Sequence, residues 1–140
     1  MKKTRALFLS ALLFTPLIQA SDIPLSPSPD GASVYIISPS NGETVNQTFT
    51  VKFGLQGMGV APAGVEKPKT GHHHLIINGG TLPSMNTPLG GDVMHFGGGQ
   101  TETSITLKPG QHTLQLLLGN HLHVPHNPPV ISEKITITVK

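Results

Sequence analysis

The 140-residue chain has eight histidines, no cysteine, and only 11% charged residues. Without cysteine it forms no disulfide, so its stability must come from an apolar core or from a bound metal. Nine basic and seven acidic residues give a formal net charge of +2, but three of the basic residues lie among the first five. The rest of the chain has six lysines and seven acidic residues, a net charge of −1, which excludes the electrostatic basis of nucleic-acid binding.

Residues 1–20 have the pattern of a secretory signal peptide. A basic start is followed by the apolar run Ala6–Ile18 and then Gln19-Ala20, after which cleavage is expected. The apolar run is too short to span a bilayer, and no second run follows, so we expect no membrane insertion after cleavage. The Lys2-Lys3 start is typical of a bacterial export signal, which predicts a periplasmic or secreted protein.

The rest of the chain divides into two parts. Residues 21–32, rich in proline and serine, are predicted to be a flexible leader, and residues 33–140 a single domain. From Ser33 onward apolar residues alternate with polar ones between glycine- and proline-rich turns, and no helical period appears. We therefore predict an all-β, immunoglobulin-like antiparallel β-sandwich, although a cupredoxin-like barrel fits the same strands. The predicted strands are Ser33–Ile37, Thr48–Leu55, His73–Asn78, Thr103–Leu107, His112–Leu118 and Ile131–Val139.

Two long connections interrupt this regular spacing, Gly57–Gly71 and Gly79–Gln100. Loops of this length inside a compact domain are usually functional or disordered. Both adjoin histidines, which favours a functional role.

Seven of the eight histidines occur in three groups, and imidazole is a common metal ligand. If the extended backbone of the third predicted strand begins at Gly71, His72 and His74 lie two apart in it, so both side chains point to one face and can reach one metal. His121 and His123 form a second pair of this kind. We predict a zinc or copper site, and the methionines Met58, Met85 and Met94 would favour Cu(I). The candidate ligands are His72, His74, His95, His121, His123 and His126.

Simpler interpretations exist for individual histidines. The run His72–His74 could be a solvated surface feature that binds metal only weakly. His73 shares a face with Leu75, which favours a hydrogen-bonded core residue over a ligand. His112 begins a leucine-rich strand, where packing is the better explanation.

Several longer motifs occur along the chain: Gly57-Met58-Gly59-Val60-Ala61-Pro62-Ala63-Gly64, Gly71-His72-His73-His74-Leu75, His95-Phe96-Gly97-Gly98-Gly99-Gln100-Thr101-Glu102, His112-Thr113-Leu114-Gln115-Leu116 and His121-x-His123-x-x-His126 before Pro128-Pro129-Val130. Together they resemble a family of small bacterial exported domains that is catalogued only as a domain of unknown function. The resemblance covers about Ile37 to Val139 and implies an exported single-domain protein without implying an activity. The usual family motif has an acid where this chain has Asn78 and Asn120.

Three hypotheses about function follow. The leading one is an exported metal-binding domain that buffers or delivers copper or zinc, with Glu102 or Asp92 orienting the imidazoles and a periplasmic protein as recipient. The second is an interaction or adhesion module whose histidines are structural or sense pH. The third, a minority hypothesis, is a metalloenzyme with Glu102 or Asp92 as general base.

Overall fold

The computed structural model describes residues 23–140. The predicted signal peptide and its cleavage point lie outside these residues. Between residues 23 and 140 the chain is all-β, with no helix, and hence none that could cross a membrane. In chain order the strands are β1 (Ser33–Ser38), β2 (Thr44–Val45), β3 (Thr48–Gln56), β4 (Gly59–Val60), β5 (Thr70–Ile77), β6 (Met94–His95), β7 (Glu102–Thr106), β8 (Gly110–Gly119) and β9 (Ile135–Val139).

The strands form two sheets. The smaller has the order β1-β3-β7, and the larger has the order β2-β9-β8-β5-β4, with β6 also paired to β5. The main neighbours are antiparallel, whereas the two-residue strands β2 and β4 pair in parallel with β9 and β5. This sandwich-like arrangement confirms the predicted fold class and is compatible with the immunoglobulin-like type.

The core lies between the sheets and follows from the alternation along the long strands. Phe53 of β3, Leu75 of β5 and Leu116 of β8 belong to one buried cluster. Phe53 also packs against Phe96, with ring centroids 4.8 Å apart. Alternate side chains of β5, including that of Leu75, therefore point into the space between the sheets, and the side chains between them point away from it.

All six predicted long strands are present, with two notable differences in their bounds. Strand β5 begins at Thr70, so all three consecutive histidines are extended backbone. The last strand begins at Ile135 rather than Ile131. Ile131 makes only a single bridge to Leu117. The ladder is interrupted at the next residue, because the Leu116 amide donates its hydrogen bond to Oγ of Ser132 instead of to a backbone carbonyl.

Strand β5 is buried on both faces, since every residue from Gly71 to Ile76 is buried. The face that points away from the sandwich is covered by the two long connections and by the segment after β8, which are hydrogen-bonded to one another. The Leu89 amide donates to the carbonyl of His123 and the Gly64 amide to that of His121. These connections bring distant histidines over β5.

Candidate metal centre

The outer face of β5 carries two adjacent imidazoles. His72 and His74 alternate with the core residues His73 and Leu75, so both point away from the sandwich. They are nevertheless 0% and 1% exposed, and their ring centroids are 4.7 Å apart. This arrangement agrees with the sequence prediction that the side chains of His72 and His74 lie on one face of a strand.

A third imidazole comes from the neighbouring strand. In the antiparallel pairing of β5 with β6, His95 lies directly opposite His74, and opposite residues share a face. The two ring centroids are 5.2 Å apart. Unlike the β5 pair, His95 is exposed to solvent.

The fourth imidazole is that of His123, which lies on a turn after β8 rather than on a strand. Its backbone has a φ of 65°, in the left-handed region that few residues other than glycine adopt. The backbone of Asn120 closes this turn, since its amide donates to the Val124 carbonyl and its carbonyl accepts from the His123 amide. The turn brings the His123 ring centroid to 5.0 Å from that of His72.

Glycines leave the space that these rings occupy. A Cβ atom at Gly119 would lie 2.6 Å from Cε1 of His74 and 3.1 Å from its Nδ1. A Cβ atom at Gly97 would overlap the His95 ring. The sequence analysis missed both residues, although every histidine group in the chain has a glycine within two positions of it.

The four rings present their nitrogens to a common point. One nitrogen from each of His72, His74, His95 and His123 lies within 4.8 Å of all the others. Nε2 of His72 is 3.1 Å from Nδ1 of His123 and 3.2 Å from Nε2 of His95. A tetrahedral metal with bonds of 2.0–2.1 Å needs nitrogens about 3.4 Å apart, so small side-chain movements would complete such a site.

Burial and neighbouring rings favour the neutral forms of His72, His74 and His123. Burial, followed by the neighbouring His123 and His95 rings, lowers the pKa of His72 to about 4. Burial and the neighbouring His72 and His95 rings lower the pKa of His74 to about 3, and burial also lowers the pKa of His123. Neutral imidazole offers a lone pair to a metal, whereas the protonated ring does not.

Several buried nitrogens in this group lack hydrogen-bond partners. Neither ring nitrogen of His74 has a partner among residues 23–140, and neither does Nδ1 of His72. Buried polar atoms are nearly always satisfied, and exceptions call for an explanation such as a bound ion. A metal at the common point would satisfy one nitrogen of each ring.

The structure does not bring His121 and His126 into this group of four. Both line a cavity of about 410 Å³ that none of the four clustered histidines lines. Nε2 of His126 lies 3.1 Å from the Thr70 carbonyl oxygen. The expected second pair is separated because residues 121–123 form a turn, in which alternate side chains no longer share a face.

Two further histidines lie outside the group of four. His73 is fully buried in the core, where its ring centroid is 5.1 Å from that of Phe53. His112 lies outside the group, with Nδ1 2.9 Å from Nδ2 of Asn78 and Nε2 2.8 Å from the Lys108 carbonyl.

The acids expected beside the histidines lie elsewhere. Glu102 is on β7 of the smaller sheet, opposite Lys52. Asp92 lines a different cavity with Asn78 and Thr81. The group of potential metal ligands found between residues 23 and 140 therefore consists of imidazoles alone.

Fold and site together define a small β-sandwich domain with four histidines clustered over its larger sheet. The chain belongs to the family described as Domain of unknown function (DUF4399), whose model matches residues 51–140. This range includes all eight histidines. No curated protein and no solved structure matches the chain.

Proposed function

We propose that this domain binds one zinc or copper ion through His72, His74, His95 and His123. A single observation carries the proposal: four imidazole nitrogens lie within 4.8 Å of one another. In the same group, neither ring nitrogen of the buried His74 has a hydrogen-bond partner in the described part of the chain. Buried imidazole nitrogens are costly without a hydrogen-bond partner or a ligand, and a metal ion offsets that cost by accepting their lone pairs.

The donor atoms favour zinc or Cu(II) over Cu(I). Imidazole suits zinc and copper, whereas thioethers are the ligands that select Cu(I). Met94 lies opposite the core residue Leu75 on the neighbouring strand, so its side chain is on the opposite face from the histidines. Met58 packs against the core.

The coordination favours binding over catalysis. Four protein ligands complete a tetrahedral zinc site, whereas catalytic zinc sites usually have three and keep a position open for water or substrate. The ligand group includes no carboxylate that could act as a general base beside the metal. We therefore propose that the domain buffers or delivers the metal.

The exposure of the ligands fits metal exchange. His72 and His74 are buried, whereas His95 is exposed and His123 is partly exposed. The site is thus anchored in the sheet and open on one side, where a metal could enter or pass to a protein partner. The signal-like residues 1–20 place this exchange, in our proposal, in the periplasm or outside the cell.

The test is the metal content of the protein, measured by mass spectrometry. The full chain, including residues 1–20, is expressed and the protein is purified without an affinity tag or a nickel column. We expect close to one zinc or copper per chain. The His72→Ala/His123→Ala variant should be empty, whereas the control variant His112→Ala/His121→Ala, which also removes two histidines, should keep its metal.

A negative result would be equally clear. A wild-type protein that is purified empty, and whose thermal unfolding is unchanged by added zinc or copper, would refute metal binding. The interaction-module hypothesis, with structural histidines, would then take its place. Equal metal loss in both double variants would refute the assigned ligand set.

A further inference from the structure

We propose that Asn120 is a positioning residue of the metal centre, held in place by Ser26 of the leader. This inference rests on the proposed function. Asn120 contributes no ligand itself; it fixes the turn that presents His123 to the other three imidazoles.

The Asn120 side chain binds the turn on both sides of His123. Its Oδ1 accepts hydrogen bonds from the Leu122 amide at 2.9 Å and the Val124 amide at 3.0 Å. Its backbone adds two more, from the Asn120 amide to the Val124 carbonyl and from the His123 amide to the Asn120 carbonyl. Asn120 is only 2% exposed, so water does not compete with these bonds.

The remaining polar atom of the amide connects this turn to the leader. Nδ2 of Asn120 donates to Oγ of Ser26 at 3.0 Å. Residues 26–28, here named the strap, also form backbone hydrogen bonds with Asn127 in both directions, and Oγ of Ser28 donates to the Pro128 carbonyl at 2.7 Å. The strap therefore holds both ends of the segment that contains His123.

His123 requires such support because of where it lies. The other three ligands are on paired strands, whose ladder hydrogen bonds fix the backbone. His123 is on a turn with a φ of 65°, a conformation that persists only where the surroundings enforce it. Rotation of this backbone would carry Nδ1 of His123 away from the 3.1 Å approach to His72.

The test compares zinc affinities, measured by competition with a chromophoric chelator. Outer-shell residues that orient a ligand typically change metal affinity about 10- to 100-fold, and we expect a loss in this range for Asn120→Ala. Ser26→Ala removes only the bond between the two side chains, and should cost less. Asn78→Ala is the matched control, because Asn78 also bonds a backbone amide, that of Thr113, but outside the metal centre.

A double-mutant comparison separates positioning from general stability. If Asn120 acts through His123, Asn120→Ala should cause no further loss of affinity in a His123→Ala background. The visible spectrum of bound Co²⁺ should change in the same direction for Asn120→Ala and His123→Ala, because the first displaces and the second removes the same ligand. The Asn78→Ala protein should keep the wild-type affinity and spectrum.

The outcomes distinguish this inference from the proposed function. Absence of zinc and copper binding in the wild type would refute the proposed function, and this inference with it. Wild-type binding that Asn120→Ala leaves unchanged, or an equal loss with and without His123, would overturn the inference alone. Should Asn120→Ala fail to fold, Ser26→Ala provides the same test with a smaller change.

Discussion

Acid should destabilise the metal-free domain through the buried imidazoles of the metal centre. In the unfolded chain His72 and His74 take up protons near pH 6.5, whereas in the folded chain burial lowers their pKa values to about 4 and about 3. Between these values the unfolded state binds more protons than the folded state. The free energy of unfolding therefore decreases as the pH falls below 6.5, and continues to decrease until each folded-state pKa is reached.

The size of this effect follows from the two pKa values. A ring that is protonated only in the unfolded state costs about 1.4 kcal/mol per pH unit. At pH 5 each of the two rings then contributes about 2 kcal/mol of destabilisation, or about 4 kcal/mol for the pair. This is a large share of the 5–15 kcal/mol that is typical of domain stability. The lowered pKa values of His73 and His126 act in the same direction.

The assay is urea unfolding of the chelator-treated protein at pH 7 and at pH 5. The difference in the free energy of unfolding between the two pH values should be about 4 kcal/mol smaller in His72→Gln/His74→Gln than in the wild type. The comparison of differences removes any effect of the substitutions at pH 7. If the variant lost as much stability as the wild type between pH 7 and pH 5, the linkage argument would be refuted.

Three further predictions concern the bound metal, Gly119 and the hydrophobic core. Free zinc at 100 times its dissociation constant should raise the free energy of unfolding by about 2.7 kcal/mol, and a chelator should reverse the shift in thermal melts. Gly119→Ala should weaken zinc binding about 10- to 100-fold in calorimetric titrations, because its Cβ would lie 2.6 Å from Cε1 of His74; Gly80→Ala, whose Cβ meets nothing within 4 Å, should not. Phe53→Ala should lower the free energy of unfolding by about 3–5 kcal/mol in urea titrations, because its ring packs on Phe96 and His73 in the core.

The long strands were predictable because their signal is local. Alternation along β5 and β8 is visible in the sequence, and it correctly places His72 and His74 on one face, opposite the core. The two-residue strands could not be predicted in this way, because they are defined by a distant partner and are too short for a period. Strand β6 was missed for this reason, although it brings His95 opposite His74.

The histidines after β8 show where the period-two argument ends. The sequence groups His121 with His123, but that argument holds only for extended backbone. The left-handed conformation of His123 and the Asn120 side chain turn the chain here, so the two rings diverge. His123 reaches the cluster, while His121 lines the neighbouring cavity. In our proposal the left-handed conformation of His123 is supported by the strap, almost 100 positions earlier in the chain. A contact over this distance leaves no pattern in the local sequence.

The three consecutive histidines also bear on how the chain finds its strand alignment. A slip of β5 by one residue against β8 would turn His73 outward and place His72 and His74 between the sheets. In most strands, apolar residues on one face and polar residues on the other favour one alignment strongly. In β5 this preference is weaker, because imidazoles lie on both faces. Only the native alignment presents a pair of imidazoles to His95 and His123. A bound metal would therefore stabilise the native register of β5 against β8 relative to the register shifted by one residue.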